Sequence, residues 1–263
     1  MIASLPMYDR PENRAAHDAF WTLVAEGLRA RGIAAPDRLN RDITPLSGWQ
    51  SPDLVLGQIC NLPLRLFAPG QVTRIGVADY GLTACPLGHY RSALIVRRAD
   101  SAQSVADCGR YRLAYNEPLS HSGWGAAWAY LRAHNVALGA HFETGSHRAS
   151  LHAVASGAAD LAAIDCMSLS MMQQYDQAYS AVRVIGHTPS SPGMTFITAG
   201  QTDPAPYFAA ISAAITALRP AQAAGLGLRA IVHLPDVDYD RMAFPPAPAA
   251  AVPAPVQMLA QIG

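Results

Sequence analysis

The chain contains no lysine; all 19 of its Lys-or-Arg positions are arginine. Without a lysine there is no Schiff-base amine and no P-loop ammonium. That argues against pyridoxal-phosphate, class I aldolase and Walker-type nucleotide chemistry. Charge of either sign is scarce, at 14% of residues, and it balances to a formal net charge of zero. There is no basic run, which argues against a nucleic-acid partner. No window of about 18 apolar residues occurs, so no membrane span is expected. The opening, Met1 to Tyr8, runs straight into Asp9-Arg10-Pro11-Glu12 and lacks the basic and apolar stretches of a secretory leader. The four cysteines, Cys60, Cys85, Cys108 and Cys166, form no C-x-x-C pair and no zinc-site pattern. What the chain does have is bulk: 263 residues, 51% of them hydrophobic, enough for a substantial core and one large domain or two modest ones. Its 20 glycines and 20 prolines follow no repeat.

Strand-like and helix-like segments alternate. Residues 1–8 read as a strand. Residues 13–32 read as a helix, with Ala16, Phe20, Leu23, Val24 and Leu28 at helical spacing and Gly32 to end it. Short apolar strands follow at 54–58, 72–77, 92–96, 161–164, 182–185 and 194–197. Helices are expected at 123–135, 146–157, 167–177 and 206–218. The Ala/Pro-rich stretch from Phe244 to Pro255 reads as extended. This alternation implies an α/β fold with mixed, mostly parallel sheets. Residues 84–188 form a complete α/β unit set inside the rest. The expected organisation is therefore a discontinuous first lobe, 1–83 with 189–263, and a second lobe, 84–188, with a ligand cleft at strand C-termini and helix N-termini. Cys60 and Cys85 both fall near the first passage between lobes, which leaves either a bridge between them or four reduced thiols.

Three segments carry groups suited to chemistry. The first, Tyr115-Asn116-Glu117-Pro118-Leu119-Ser120-His121-Ser122-Gly123-Trp124, joins a strand end to a helix start. Serine hydroxyls and exposed helix N–H groups there can cradle an anion without any formal charge, or a serine can simply cap the helix. The second, Glu143-Thr144-Gly145-Ser146-His147, also opens a helix, with Thr144 or Ser146 as cap and His147 in the first turn. His141, Glu143 and His147 lack the i, i+4 spacing of a helical metal pair, so no metal is expected. In the third, Leu161-Ala162-Ala163-Ile164 ends in Asp165, placed to accept from a ligand ammonium or hydroxyl or to cap the next helix. Cys166 has no assignable base and reads as a small buried residue. Gly225-Leu226-Gly227 lacks the strand–turn–helix setting of a dinucleotide fingerprint, and no G-x-S-x-G elbow exists. No catalytic residue and no cofactor is assigned.

The order Asn116, Ser120-His121-Ser122-Gly123, Thr144-Gly145-Ser146-His147, then Ser156-Gly157 and Asp160 to Asp165, resembles the phosphonate-type (PhnD-like) solute-binding proteins of ABC transporters. Leu5-Pro6-Met7-Tyr8 and Pro192-Gly193 extend the resemblance over about residues 1–200. It implies a two-lobed type II periplasmic-binding-protein fold with a hinged cleft, holding a small anionic or zwitterionic ligand such as a phosphonate or phosphate, and an ABC permease as partner. It assigns ligand contacts to Asn116, Ser120, Ser122, Gly123, Ser146 and His147, with Asp165 gripping an amino group and Tyr8, Tyr80 and Tyr90 as cleft tyrosines. The chain departs from the family turn at Glu117, which intervenes before Pro118; a carboxylate there disfavours a dianion unless it faces solvent. The family role implies a periplasmic location for a chain whose leader has been removed, and a cytoplasmic one if Met1 is the true start. The rival readings are an enzyme on the same scaffold, in cofactor or pyrimidine biosynthesis, using His147, Asp165 or Cys166, and a cytoplasmic ligand sensor.

Overall fold

The computed structural model describes residues 1–67 and 70–248. The chain divides into two compact units. Unit 1 is Met1–Tyr90 with Ser190–Arg241; unit 2 is Arg91–Pro189 with the stretch from Met242. In chain order, unit 1 opens with β1 (Ile2–Ser4), α1 (Arg14–Arg29), α2 (Pro45–Trp49), β2 (Leu54–Ile59), α3 (Asn61–Leu66), β3 (Val72–Asp79) and β4 (His89–Tyr90). Unit 2 follows with β5 (Ser92–Arg97), β6 (Leu113–Tyr115), a π-helical turn (His121–Gly125) leading into α4 (Ala126–Ala133), β7 (His141–Glu143), α5 (His147–Ser156), β8 (Leu161–Asp165), α6 (Cys166–Tyr175) and β9 (Val182–His187). Unit 1 resumes with β10 (Ser191–Pro192), β11 (Thr195–Ala199), α7 (Ala205–Ala217), α8 (Pro220–Leu226), β12 (Ala230–Val232) and α9 (Asp236–Tyr239).

In unit 1 the sheet order is β1-β2-β11-β3-β12. Helix α1 forms because Ala16, Phe20, Trp21, Val24 and Leu28 recur at three- and four-residue intervals, and all of them are buried. Phe20 meets Phe196 of β11 at 6.2 Å between ring centroids. Gly27 faces Ala210 of α7: a Cβ at 27 would stand 3.2 Å from the Ala210 methyl, so a small residue there lets the two helices close up.

In unit 2 the order is β7-β6-β8-β5-β9, and helices cover both faces of the sheet. On one face Ala93, Ile95, Ala162 and Ile164 pack on Leu151 and Val154 of α5 and Leu169 and Met172 of α6. On the other, Leu94, Val96, Leu113 and Leu161 pack on Trp124 and Leu131. Burial on both faces is why β5 and β8 read as continuous apolar runs rather than alternating ones. Residues 242–248 belong to this unit too, where Pro246 accepts a hydrogen bond from the Trp124 indole at 2.9 Å.

The sheets are mixed, as expected, but the expectation of mostly parallel pairing is corrected. Among the described residues only β1–β2, β6–β7 and β6–β8 are parallel. The pairs β2–β11, β3–β11, β3–β12, β5–β8, β5–β9 and β4–β10 are antiparallel. The strands by which the chain enters and leaves unit 2 are those that run against their neighbours. Side-chain pattern carries no strand direction, so the sequence could not reveal it. All four cysteines are thiols, and the Cys60–Cys85 bridge is not formed. Residues 244–248 are in neither helix nor strand; the rest of the stretch to Pro255 lies outside the described residues. Among the described residues no helix is long and apolar enough to cross a membrane.

Candidate functional site

Strands β6, β7 and β8 run parallel, so their C-terminal ends share one edge of the unit 2 sheet. A helix starts after each of them, and each start is capped by a side chain. Ser120 Oγ accepts from Gly123 N–H (3.0 Å), Ser146 Oγ from Ala149 N–H (3.0 Å), and Asp165 Oδ1 from Ser168 N–H (2.8 Å). Three helix N-termini at one sheet edge concentrate unpaired N–H groups and partial positive charge. The first opens as a π turn, a distortion frequent at functional sites.

A hydrogen-bond chain links the three starts. Ser122 Oγ lies 2.9 Å from His147 Nε2, and the same nitrogen lies 3.3 Å from Asp165 Oδ2. A carboxylate only accepts, so Nε2 must carry the hydrogen. Ser122 then receives rather than gives, and its own O–H remains to donate elsewhere. Ser120 is in the same position: Gly123 N–H occupies its oxygen, and its hydroxyl, 3.5 Å from Ser122 Oγ, retains a hydrogen to give. This is not the geometry of a Ser-His-Asp triad, in which acid and nucleophile sit on opposite ring nitrogens. Asp165 is 1% exposed and both its oxygens are engaged within the protein, so its contacts are those of a cap and a positioning group for His147.

Asn116 and Gly123 fit around each other. A Cβ on Gly123 would fall 1.9 Å from Asn116 Oδ1 and 3.3 Å from His147 Cε1. Asn116 also ties two of the loops together, its carbonyl accepting from Gly145 N–H at 2.8 Å. Glu117 is exposed, as a carboxylate in that position needs to be beside an anion site. Partial desolvation of its carboxyl, and then the charge of Glu143, hold it above the ordinary carboxylate range. His141 packs its ring on Trp124 at 5.2 Å, and Cys166 is the first, half-buried residue of α6. Among the described residues no cluster of His, Cys, Asp or Glu is placed to hold a metal ion.

The sequence-expected residues thus fall into two sets. Asn116, Ser120, Ser122, Gly123, His147 and Asp165 come together in unit 2, with Ser146 heading the helix that carries His147. The tyrosines belong to unit 1. There Tyr8, buried, and Tyr80 meet edge to face at 5.0 Å, whereas Tyr90 is buried at the end of β4. Two further participants were not anticipated. Ser92, buried at the start of β5, donates from Oγ to the Ser122 carbonyl at 2.9 Å. Gln58, near the end of β2, donates to Tyr80 Oη at 3.3 Å. Each is a polar residue at the end of an apolar strand, and that is the signal by which either could have been found.

The architecture is the type II periplasmic-binding-protein fold. The family model for phosphonate periplasmic substrate-binding proteins of ABC transporters matches residues 67–237, and the chain belongs to that family, one of periplasmic transport binding proteins. Similar solved structures include PhnD1 from Prochlorococcus marinus in complex with methylphosphonate, with a TM-score of 0.69 and 15% identity over 90% of this chain and 94% of that one. XAC2383 from Xanthomonas citri bound to ATP gives a TM-score of 0.65 and 14% identity over 92% and 93%. A binding-protein component of an ABC phosphonate transporter from Pseudomonas aeruginosa gives 0.61 and 15% over 90% and 82%. No curated protein sequence matches the chain.

Proposed function

We propose that the protein is the periplasmic substrate-binding component of an ABC transporter and holds a small phosphonate or phosphate-like anion in the cradle of unit 2. The observation that carries this reading is the fixed hydrogen-bond direction in the cradle. His147 gives its Nε2–H to Ser122, which leaves the Ser122 and Ser120 hydroxyls to donate to an oxyanion beside the helix N–H groups. Gly123 lets Asn116 and His147 approach, and Asp165 holds His147 in the donating tautomer. In unit 1 the half-buried Tyr80 is the candidate contact, with the buried Tyr8 ring packed edge to face on it and Gln58 donating to its Oη. The ligand bound by PhnD1 makes methylphosphonate the natural first probe.

Titration calorimetry tests the reading. Methylphosphonate binds the wild-type protein, and Ser122→Ala removes one charge-assisted hydrogen bond, costing about 1.5–3 kcal/mol or roughly 10- to 100-fold in affinity. Ser120, not Ser122, caps the helix, so Ser122→Ala keeps the cap and loses only the buried bond with His147, at about 1 kcal/mol of ligand-free stability. Equal affinities for the two proteins would remove Ser122 from the site.

A further inference from the structure

We propose that Ser92 is a positioning residue for the cradle: its hydroxyl, set into the helix ladder at the Ser122 carbonyl, holds the first turn in its π form and so aims Ser122 at the ligand. This inference rests on the anion-binding reading above and adds a residue that acts on the same site without touching the ligand.

The backbone bonds of the turn show where Ser92 acts. Gly125 N–H reaches back five residues to the Ser120 carbonyl at 3.0 Å, and Ala126 N–H reaches back five residues to His121. The π turn ends at Gly125, and α4 continues from Ala126 at the ordinary four-residue spacing. In an unbroken α-helix Ala126 N–H would go to Ser122. Given to His121 instead, it leaves the Ser122 carbonyl over at the place where the two spacings meet. Ser122 is 3% exposed, and a carbonyl without a donor at that depth is costly. The Ser92 hydroxyl supplies the donor, at 2.9 Å. A side chain set into the hydrogen-bond ladder is one of the few causes of a local helix distortion.

Ser92 is itself held in place. It is buried at the start of β5, its N–H donates to Thr188 Oγ1 at 3.0 Å, and its carbonyl accepts from Thr188 N–H at 2.9 Å. Across the sheet it stands opposite Asp165, the residue that orients His147. The hydroxyl is therefore a fixed point from which the first turn is hung. Without it, the buried Ser122 carbonyl takes back Ala126 N–H and the turn tightens to α spacing. One residue fewer in the turn rotates its side chains by about 100° around the helix axis. Ser122 Oγ then leaves His147 Nε2, which is 2.9 Å away in the π form. Ser122 N–H, a first-turn donor with no acceptor inside the helix, swings away with it.

The test is a double-mutant cycle read by calorimetry with methylphosphonate, together with a crystal structure of ligand-free Ser92→Ala. Ser92→Ala raises Kd roughly 10- to 100-fold, as Ser122→Ala does. The double variant binds no worse than the weaker single one, because both losses run through Ser122. The crystal structure shows Ala126 N–H on the Ser122 carbonyl. A serine with a merely structural role would lower stability and leave Kd unchanged; that result, losses that multiply in the double variant, or a π turn that survives in Ser92→Ala overturns the inference. Ser92→Cys keeps the shape and weakens the donor, and it carries the test should the alanine variant not fold. Its Kd rises by a smaller factor, and a Kd equal to that of the wild type overturns the inference. Wild-type binding with an unchanged Kd in Ser92→Ala leaves the anion-binding reading standing, whereas absence of methylphosphonate binding by the wild type overturns both.

Discussion

Gly123 is the residue on which the cradle turns. Its backbone is helical, so alanine there is favoured by intrinsic propensity, by up to about 1 kcal/mol over glycine. The space is not favourable: the alanine methyl would meet Asn116 Oδ1 at 1.9 Å and His147 Cε1 at 3.3 Å. The Asn116 amide has to leave, and with it goes part of the wall beside Ser122. We expect Gly123→Ala to destabilise the protein by about 1–3 kcal/mol, the usual cost of overpacking. Methylphosphonate affinity should fall by roughly tenfold or more, a loss of about 1.4 kcal/mol or more. Urea denaturation gives the sign directly. A stabilised Gly123→Ala would mean that helix propensity wins and that the contact with Asn116 is not a tight one.

At the scale of elements, the opposite edge of the same sheet carries contacts that hold the strands in register. Asp160, just before β8, receives the backbone N–H of Arg112 at 3.1 Å, its guanidinium at 2.8 and 2.9 Å, and Arg97 at 3.2 Å. These contacts join the starts of β6 and β8 to the end of β5. The Arg112 side chain, chiefly, holds the Asp160 carboxyl well below the usual carboxylate range, against an opposing effect of partial burial. A depressed carboxyl stabilises the fold above its unfolded pKa of about 3.9, and that stabilisation is lost as pH falls toward the folded value. The Arg112 side chain is 44% exposed, so screening keeps the contribution to about 1 kcal/mol. Asp160→Asn should therefore be less stable than wild type at pH 7, with the gap narrowing steadily below about pH 4. A gap that stays constant to pH 3 would place its origin elsewhere than in the charge.

The elements themselves were largely legible in the sequence. Burial on both sheet faces wrote Leu161–Ile164 and Ser92–Val96 as apolar runs, and the spacing of Phe20, Val24 and Leu28 marked α1. Three things were not legible. Antiparallel passage of β5 and β9 leaves no trace in side-chain period. The π turn at His121–Gly125 is a matter of one extra residue per turn, set by packing and not by propensity. At Asp165 and Ser120 a cap and a ligand contact look identical in sequence, since both need a short oxygen-bearing side chain after a strand. Only the distances to Ser168 N–H and Gly123 N–H assign the caps, and only the second contact of Asp165, on His147, gives it a role in orienting the site. Ser92 escaped notice because nothing in a strand's sequence says which carbonyl its first hydroxyl will reach.

At the scale of the whole molecule, binding and folding are linked. The proposed cradle exists only when β6, β7 and β8 and the three helices that follow them are in place, so a ligand held there binds the native chain and not the unfolded one. Stability then rises by RT ln(1 + [L]/Kd), about 2.7 kcal/mol at a hundredfold excess over Kd and about 4.1 at a thousandfold. Each further decade of methylphosphonate adds about 1.4 kcal/mol. We expect chemical denaturation of the wild-type protein at graded methylphosphonate concentrations to give a straight line of that slope against log concentration, once ligand exceeds Kd. Ser122→Ala should give a parallel line, displaced to roughly 10- to 100-fold higher ligand. The common slope reports that one native site is being filled, and the displacement reports the lost hydroxyl. A line that bends to a plateau would mean that the denatured chain also takes the ligand. Superimposed lines for the two proteins would mean that the stabilisation comes from an anion held elsewhere on this arginine-only surface.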